Sequence, residues 1–218
     1  MPKAVKDSAR PVIEREQLEE LLSNVTDLRD WCILGIAIFG ELRSEELFAL
    51  TWPVVGADYV DIENSCWHGV FRPGKLKNDA SKRRVFLPET IIGGLALWRE
   101  ACPESEHNLL FRGGVGCMWP GVWWQKRIHP IARRLGMTVM PTCQVLRRSG
   151  MTRLQHMGSE KDRQAHAGHI EGSKVTNRVY TQAVEAGLRA MVAKDADGFR
   201  ITLPAMARKP EGASSEKL

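Results

Sequence analysis

The longest apolar run of the sequence lies near its N-terminus, between Trp31 and Phe39, and reads WCILGIAIF. A helix over residues 28–39, capped by Asp27, would be apolar almost all round, which indicates burial on every side. The run is far too short to cross a bilayer. It therefore predicts the central helix of a globular body, and 218 residues are enough to surround that helix with a core.

Apolar spacing and capping residues predict further helices on both sides of this run. Pro130 is expected to kink or divide one of them. The expected helices cover about residues 14–24, 42–50, 89–100, 119–135, 143–157, 159–167 and 173–193. Most of the chain is thus predicted to be helical.

Three short segments rich in aromatic and β-branched residues interrupt the helices. They are Tyr59–Ile62, Trp67–Phe71 and Arg84–Leu87, and turn residues separate them. Short links favour antiparallel pairing. The predicted fold class is therefore α+β and mainly α-helical, with a small three-stranded antiparallel sheet at the edge of a helical body.

Composition limits the function only weakly. The formal net charge is +5, an excess that suits a polyanionic partner but is shared by many other proteins. The five cysteines are scattered and form no CxxC pair, so neither a zinc cluster nor a disulfide framework is predicted. Without a signal-peptide pattern, the sequence is expected to act in a reducing cytoplasm.

Two charged residues mark the start of the helix predicted after Gly40, within the sequence ELRSEEL. Arg43 and Glu46 are three residues apart and share a face of that helix. A surface ion pair is the common meaning of this spacing. The alternative is an arginine projected into a site, with the Glu46 carboxylate holding it in place.

A second set of polar residues lies in the C-terminal half of the chain. It consists of Gln144, Arg147, Arg148, His169 and Tyr180. Gln144 and Arg147 can aim at one point, whereas Arg148 points about 100° away around the helix. Taken singly, such residues are more often solvated charges, caps or half-buried core residues than catalytic groups.

The order of these segments resembles the tyrosine recombinase (phage integrase) family. ELRSEEL resembles its first box, typically GLRxxEL, with Glu41 in place of the usual glycine. LKNDASKRRVFLP resembles its β-hairpin, which carries a lysine and ends in a VPLP-like strand. TCQVLRRSGMTRL resembles the second box, typically TPHDLRHTFAT, and AGHIEGSKVTNRVYTQ resembles LGHxxxxTTxxYT. The resemblance covers roughly residues 12–193, and several separated motifs agree in order, which makes it specific.

The resemblance implies that the chain cleaves and rejoins DNA through a 3′-phosphotyrosine. It assigns the phosphate oxygens to Arg43 and Arg147, whose guanidinium forks also stabilise the charge of the transition state. Gln144 and His169 are the implied further hydrogen-bond donors, and Tyr180 is the implied nucleophile. Because the bond energy is kept in the protein–DNA link, the family requires no metal and no other cofactor.

The resemblance also implies a general acid and a DNA-binding surface. Lys77 aligns best with the family's hairpin lysine, which protonates the departing 5′ oxygen, and Lys75 is the alternative. Glu46 is the implied support for Arg43. The basic side chains expected to contact DNA are Lys75, Lys82, Lys126, Arg127, Arg133, Arg134 and Arg148.

Two departures from the family pattern keep other functions open. Gln144 stands where the second box has histidine, and an amide donates a hydrogen bond but cannot transfer a proton. The family's N-terminal core-binding domain is expected to be absent, as in a fragment or a natural short form. A domain that binds DNA without cleaving it, or a topoisomerase-like enzyme, is therefore an alternative to a recombinase.

The predicted organisation is an N-terminal arm over residues 1–12, a catalytic domain over 13–194 and a C-terminal tail over 195–218. We expect the tail to be mobile in the free protein and, through Ile201, Leu203 and Met206, able to dock on a neighbouring protomer. The implied partner is double-stranded DNA, bound by four copies of a protein that is monomeric when free. A prokaryotic cytoplasm or nucleoid, with no membrane contact, is the implied location.

Overall fold

The computed structural model describes residues 10–77, 81–114, 116–168 and 177–205, and helices dominate it. In chain order these helices are α1 (Arg15–Ser23), α2 (Leu28–Phe39), α3 (Ser44–Leu47), α4 (Glu89–Ala101), α5 (Pro120–Trp123), α6 (His129–Arg134), α7 (Cys143–Arg153), α8 (Glu160–Ala167) and α9 (Asn177–Asp197). The mainly helical prediction is confirmed.

The central helix of the fold is α2, as the apolar run predicted. Every residue from Asp30 to Phe39 is buried. The Asp27 carboxylate caps the helix by accepting a hydrogen bond from the backbone N–H of Asp30 at 3.0 Å. Because α1, α4 and α7 pack around it, α2 can be apolar on all sides.

One predicted helix is shorter in the structure, and another is divided, as Pro130 predicted. The helix expected over 42–50 is reduced to the single turn of α3, Ser44–Leu47. The helix expected over 119–135 is divided into α5, a five-residue π-helical segment at Trp124–Ile128, and α6. The wider turn directly precedes Pro130, which has no N–H to continue the α-helical pattern.

Four strands lie between α3 and α4: β1 (Tyr59–Ile62), β2 (Ser65–Trp67), β3 (Val70–Arg72) and β4 (Arg83–Phe86). Across the described residues they form two antiparallel pairs, β1 with β4 and β2 with β3. The predicted single three-stranded sheet is therefore wrong in detail. The segment expected to be one strand turns back on itself at His68 and Gly69, whose φ angles are 50° and 79°.

The C-terminal part of the described chain packs against its own core. Asp195, expected to begin a mobile tail, is buried in α9 and pairs with Arg153 at 3.1 Å. Phe199 is buried in the main hydrophobic core, and Ile201 and Leu203 pack against that core. Residues 195–205 thus pack against their own chain, while Met206 and the residues after it lie outside the described part, and docking of the tail on a neighbour stays a prediction. No helix in the described ranges is long and apolar enough to span a membrane.

Candidate active site

Arg43 stands at the N-terminus of α3, where a buried carboxylate fixes it. Its backbone N–H donates to Glu46 Oε2 at 3.0 Å, and its Nη1 donates to Glu46 Oε1 at 2.7 Å. The Glu46 side chain is only 3% exposed, whereas that of Arg43 is 25% exposed. The pair is therefore no surface ion pair, because the carboxylate is buried and holds an arginine that still reaches solvent.

Arg83, on β4, is a second partner of the same carboxylate and was not identified from the sequence. Its Nη2 donates to Glu46 Oε2 at 3.0 Å, and its Nε donates to the backbone oxygen of His166 at 2.9 Å. No sequence signal identified Arg83, because the strand predicted here began at Arg84. Its neighbour Arg84 lies on the opposite face and pairs with Asp61.

Arg147 brings a third guanidinium to this group from α7. Its Nη1 donates to the backbone carbonyl oxygen of Glu41 at 2.6 Å. Burial, together with the nearby positive charges of Arg43 and Arg83, lowers the pKa of Arg147 to about 10. The first-box and second-box arginines are thus neighbours in the structure, although 104 residues separate them in the sequence.

The two glutamates near these arginines differ in protonation state. Burial alone would raise the pKa of Glu46, but Arg83 and Arg43 lower it below its ordinary value, so this carboxylate is ionised. Burial raises the pKa of Glu41 to about 8, so this carboxyl is largely protonated at neutral pH. In the described part of the chain, three guanidinium groups thus lie near the ionised carboxylate of Glu46, and a cluster of this kind attracts an anion.

His166, at the end of α8, is a further buried residue that sequence reasoning missed. Its ring Nε2 lies 3.0 Å from the backbone oxygen of Phe39, to which the neutral ring donates a hydrogen bond. Burial, together with nearby arginines, lowers the pKa of His166 to about 4. The ring is therefore neutral at physiological pH and ties α8 to the end of α2. Gly168 ends this segment with a φ angle of 66°.

The remaining predicted catalytic residues are only partly described. Gln144 is exposed in the first turn of α7, three residues before Arg147. Lys75 and Lys77 are exposed in the loop after β3. Tyr180 belongs to the first turn of α9, a helix that packs against α8 and β4. His169 and the Tyr180 side chain lie outside the described part of the structure.

Four of the residues predicted to contact DNA lie on the π-helical segment and α6, and they fall into two groups. Lys126, Arg133 and Arg134 are exposed on the π-helical segment and α6. Arg127, by contrast, pairs with the buried carboxylate of Asp30 and with Asp27, so the fold already neutralises its charge.

Two other residues predicted to contact DNA, Lys82 and Arg148, differ in how far they are exposed. Lys82 pairs with Glu63 at 3.1 Å, and both side chains are well exposed. Arg148 is half-buried. Among the residues that the structure describes, no group of three or more His, Cys, Asp or Glu could hold a metal ion.

No protein-family model and no curated protein matches the sequence. Solved structures do match. The integrase from mycobacterium phage Brujita has a TM-score of 0.64 at 18% identity, covering 95% of this chain and 66% of that one. XerA recombinase has a TM-score of 0.61 at 17% identity, covering 89% of this chain and 66% of that one.

A third match is the XerH site-specific recombinase bound to difH substrate, with a TM-score of 0.54 at 20% identity. It covers 78% of this chain and 50% of that one. The chain therefore spans between half and two thirds of the length of these three structures. At this level of identity the likeness shows the fold, which is that of the tyrosine recombinase catalytic domain.

Proposed function

We propose that the chain is the catalytic domain of a site-specific DNA recombinase or integrase, which cleaves and rejoins DNA through a 3′-phosphotyrosine at Tyr180. One observation carries the proposal. Among the described residues, Arg43 and Arg83 share the buried, ionised carboxylate of Glu46, and Arg147 lies close to both arginines, in a fold shared with recombinases. A phosphodiester is an anion, and its non-bridging oxygens match the guanidinium fork.

In the proposed reaction Arg43 and Arg147 hold the non-bridging oxygens and stabilise the charge that builds up on them in the transition state. The phenol of Tyr180 releases its proton to solvent water, since the positively charged arginines favour the phenolate, and the phenolate oxygen attacks phosphorus. The bond from phosphorus to the 5′ oxygen breaks, and Lys77, or alternatively Lys75, protonates that oxygen. Attack by a 5′ hydroxyl group on the phosphotyrosine reverses these steps and rejoins the strand.

A second candidate is a domain that binds DNA without cleaving it. The position of Gln144 favours it, because an exposed amide beside Arg147 can donate a hydrogen bond to phosphate but cannot transfer a proton. The two candidates share salt-sensitive DNA binding and differ in whether a covalent adduct forms.

A suicide substrate separates these candidates. A DNA site is first selected by binding from a library of random duplexes, and the selected duplex is then nicked next to each phosphate in turn. Wild-type protein is expected to form an adduct that survives denaturing electrophoresis, whereas Tyr180→Phe forms none.

If wild type and Tyr180→Phe give equal adduct on every nicked duplex, the cleavage proposal fails. Salt-sensitive binding without adduct then supports the DNA-binding domain. Relaxation of supercoiled plasmids that lack the selected site would instead indicate topoisomerase-like activity.

Strand exchange requires two duplexes, and we propose that four copies assemble on them from a protein that is monomeric when free. Because residues 199–205 pack against their own core, only the segment after Ala205 is proposed to dock on a neighbour. Sedimentation of DNA complexes with and without residues 206–218 tests this. Unchanged assembly after the deletion would rule the segment out as the link.

A further inference from the structure

Arg83 makes hydrogen bonds to three separate segments of the chain. Nη2 donates to Glu46 Oε2 at 3.0 Å, Nε donates to the carbonyl oxygen of His166 at 2.9 Å, and Nη1 donates to the carbonyl oxygen of Ser81 at 3.0 Å. The side chain is only 6% exposed. Each of its three nitrogens therefore has a protein partner, in a place that solvent hardly reaches.

Each of these segments leads to a residue with a role in the proposed reaction. Glu46 fixes Arg43 by two hydrogen bonds. Ser81 lies in the loop that also contains the candidate general acids. His166 belongs to the last turn of α8, three residues before His169 in the sequence, which is an implied further hydrogen-bond donor.

His166 makes a second hydrogen bond, through its ring, in addition to the one that its backbone accepts from Arg83. The ring of His166 bonds to the carbonyl oxygen of Phe39, the last residue of α2, while its own carbonyl accepts from Arg83. The last turn of α8 is therefore held at two points. One of them is the end of α2, the element that leads into Glu41 and Arg43.

A guanidinium group is the only side-chain cation that can make this set of contacts. Its donors are fixed in one plane and point in different directions, whereas the three donors of a lysine start from a single nitrogen. Removing Arg83 would also leave the buried Glu46 carboxylate with Arg43 as its remaining ion-pair partner among the described residues.

We infer that Arg83 is a positioning residue for the proposed cleavage reaction. It sets where Arg43 stands relative to the last turn of α8 and acts through Glu46 and His166 rather than through the phosphate. The inference rests on the proposed function, since it is cleavage that needs this alignment. A misplacement of about 1 Å in such a site costs about a hundredfold in rate.

The test compares Arg83→Gln and Arg83→Lys with the matched control Arg84→Gln. Arg84 is the next residue of β4 and is also ion-paired, with Asp61 at 2.9 Å and Glu185 at 3.4 Å, but it faces away from the site. The rate of adduct formation is measured in a single turnover at saturating nicked DNA, and the Kd for DNA is measured separately.

We expect Arg83→Gln to lower the rate at least tenfold with a Kd within about twofold of wild type. Arg83→Lys keeps the charge beside Glu46 but is expected to lose at least tenfold as well, because three donors on one nitrogen cannot reach three acceptors in separate segments. Arg83→Lys also tests the inference if the Arg83→Gln protein does not fold. A rate for Arg83→Lys equal to that of Arg84→Gln would overturn the inference.

Hydrogen exchange over residues 162–168 gives a readout that needs no activity. Arg83→Gln and Arg83→Lys are expected to lose amide protection in this segment, whereas Arg84→Gln is expected to keep it. Equal protection in all variants overturns the inference even if wild type forms no adduct. Absence of adduct with wild type, by contrast, counts against the proposed function alone.

Discussion

Arg147 donates a hydrogen bond from Nη1 to the backbone carbonyl oxygen of Glu41 at 2.6 Å, across 106 residues of sequence. Glu41 presents that oxygen with a φ angle of 52°, in the left-handed region that favours glycine. The bond joins the helix that carries Arg147 to the segment that leads into Arg43. The conformation of Glu41 therefore bears directly on how the two arginines of the proposed phosphate site face each other.

The position of the Glu41 side chain depends on a glycine in α7. A Cβ atom added to Gly150 would lie 2.3 Å from Glu41 Oε1 and 2.8 Å from Glu41 Cγ. Both residues depart from the recombinase pattern, which has glycine in the first box and phenylalanine in the second box at these positions. The two departures are complementary, since the carboxyl group fills the space that Gly150 leaves.

Gly150→Ala is accordingly expected to destabilise the protein by about 1–3 kcal/mol, because Glu41 is fully buried and cannot move away without disturbing Arg147. Urea unfolding measures the change. Gly93→Ala is the matched control, because Gly93 is also inside a helix but its added Cβ would meet nothing within 4 Å. The control is expected to be neutral or stabilising by up to about 1 kcal/mol. Equal effects of the two substitutions would contradict the packing argument.

The buried Glu41 carboxyl also predicts how stability depends on pH. Its pKa is about 8 in the folded protein against an ordinary value of 4.5, chiefly because of burial. Between these values the folded state binds more protons than the unfolded state, so the free energy of unfolding falls as pH rises toward 8. Glu41→Gln cannot titrate and is expected to lack this fall.

The measurement is best made from pH 6.5 upward. Below that, His166 contributes the opposite slope, because its pKa is about 4 when folded against an ordinary value of 6.5. Between pH 6.5 and 8, the stability of wild type relative to Glu41→Gln is expected to fall by up to about 1.4 kcal/mol per pH unit. Parallel stability curves for the two proteins would show that Glu41 does not titrate in this range.

The sequence predicted Arg43, Glu46 and Arg147 as one site, but through motif order rather than through spacing. It did not predict Arg83 or His166, whose hydrogen bond joins residues 83 positions apart. Such contacts depend on how β4 and α8 pack, and periodicity within one element carries no information about that. Glu41 was noticed as a departure, but its protonation follows from burial, which only the fold supplies.

The fold was predicted best where one physical effect dominates. The apolar helix α2 and the Asp27 cap agree with the expectation because burial and capping are local to the segment. The strand expected over 67–71 was wrong because Gly69 allows a tight turn whose neighbour, Trp119, comes from a distant part of the chain. The residues after Asp195 look polar in sequence, yet one buried ion pair with Arg153 and the ring of Phe199 anchor them.

Arg127 and Lys126 are adjacent in sequence but are expected to differ in role. Arg127→Ala would leave the buried Asp30 carboxylate with Arg29 and the indole N–H of Trp123 as partners, and a loss of about 1–3 kcal/mol is expected in urea unfolding. Lys126→Ala is expected to change stability by less than about 0.5 kcal/mol, because Lys126 is exposed.

Under the proposed function, Lys126→Ala is expected to have the larger effect on DNA binding, although it has the smaller effect on stability. Lys126→Ala is expected to weaken binding and to reduce the salt dependence by about one phosphate contact, as measured by fluorescence anisotropy at several salt concentrations. Arg127→Ala is expected to leave the salt dependence unchanged. If the Arg127→Ala protein is as stable as wild type but binds DNA less tightly, Arg127 contacts DNA and the prediction is wrong.

Gln144 is the position at which cleavage is most directly testable. It is exposed in the first turn of α7, so substitutions there disturb no core contact. Gln144→His introduces a group that can transfer a proton, and we expect it to raise single-turnover cleavage of the nicked substrate about tenfold or more. Gln144→Ala removes the hydrogen-bond donor and is expected to lower cleavage. If Gln144→His lowers cleavage as much as Gln144→Ala does, the site depends on the amide itself, and proton transfer at this position does not limit the reaction.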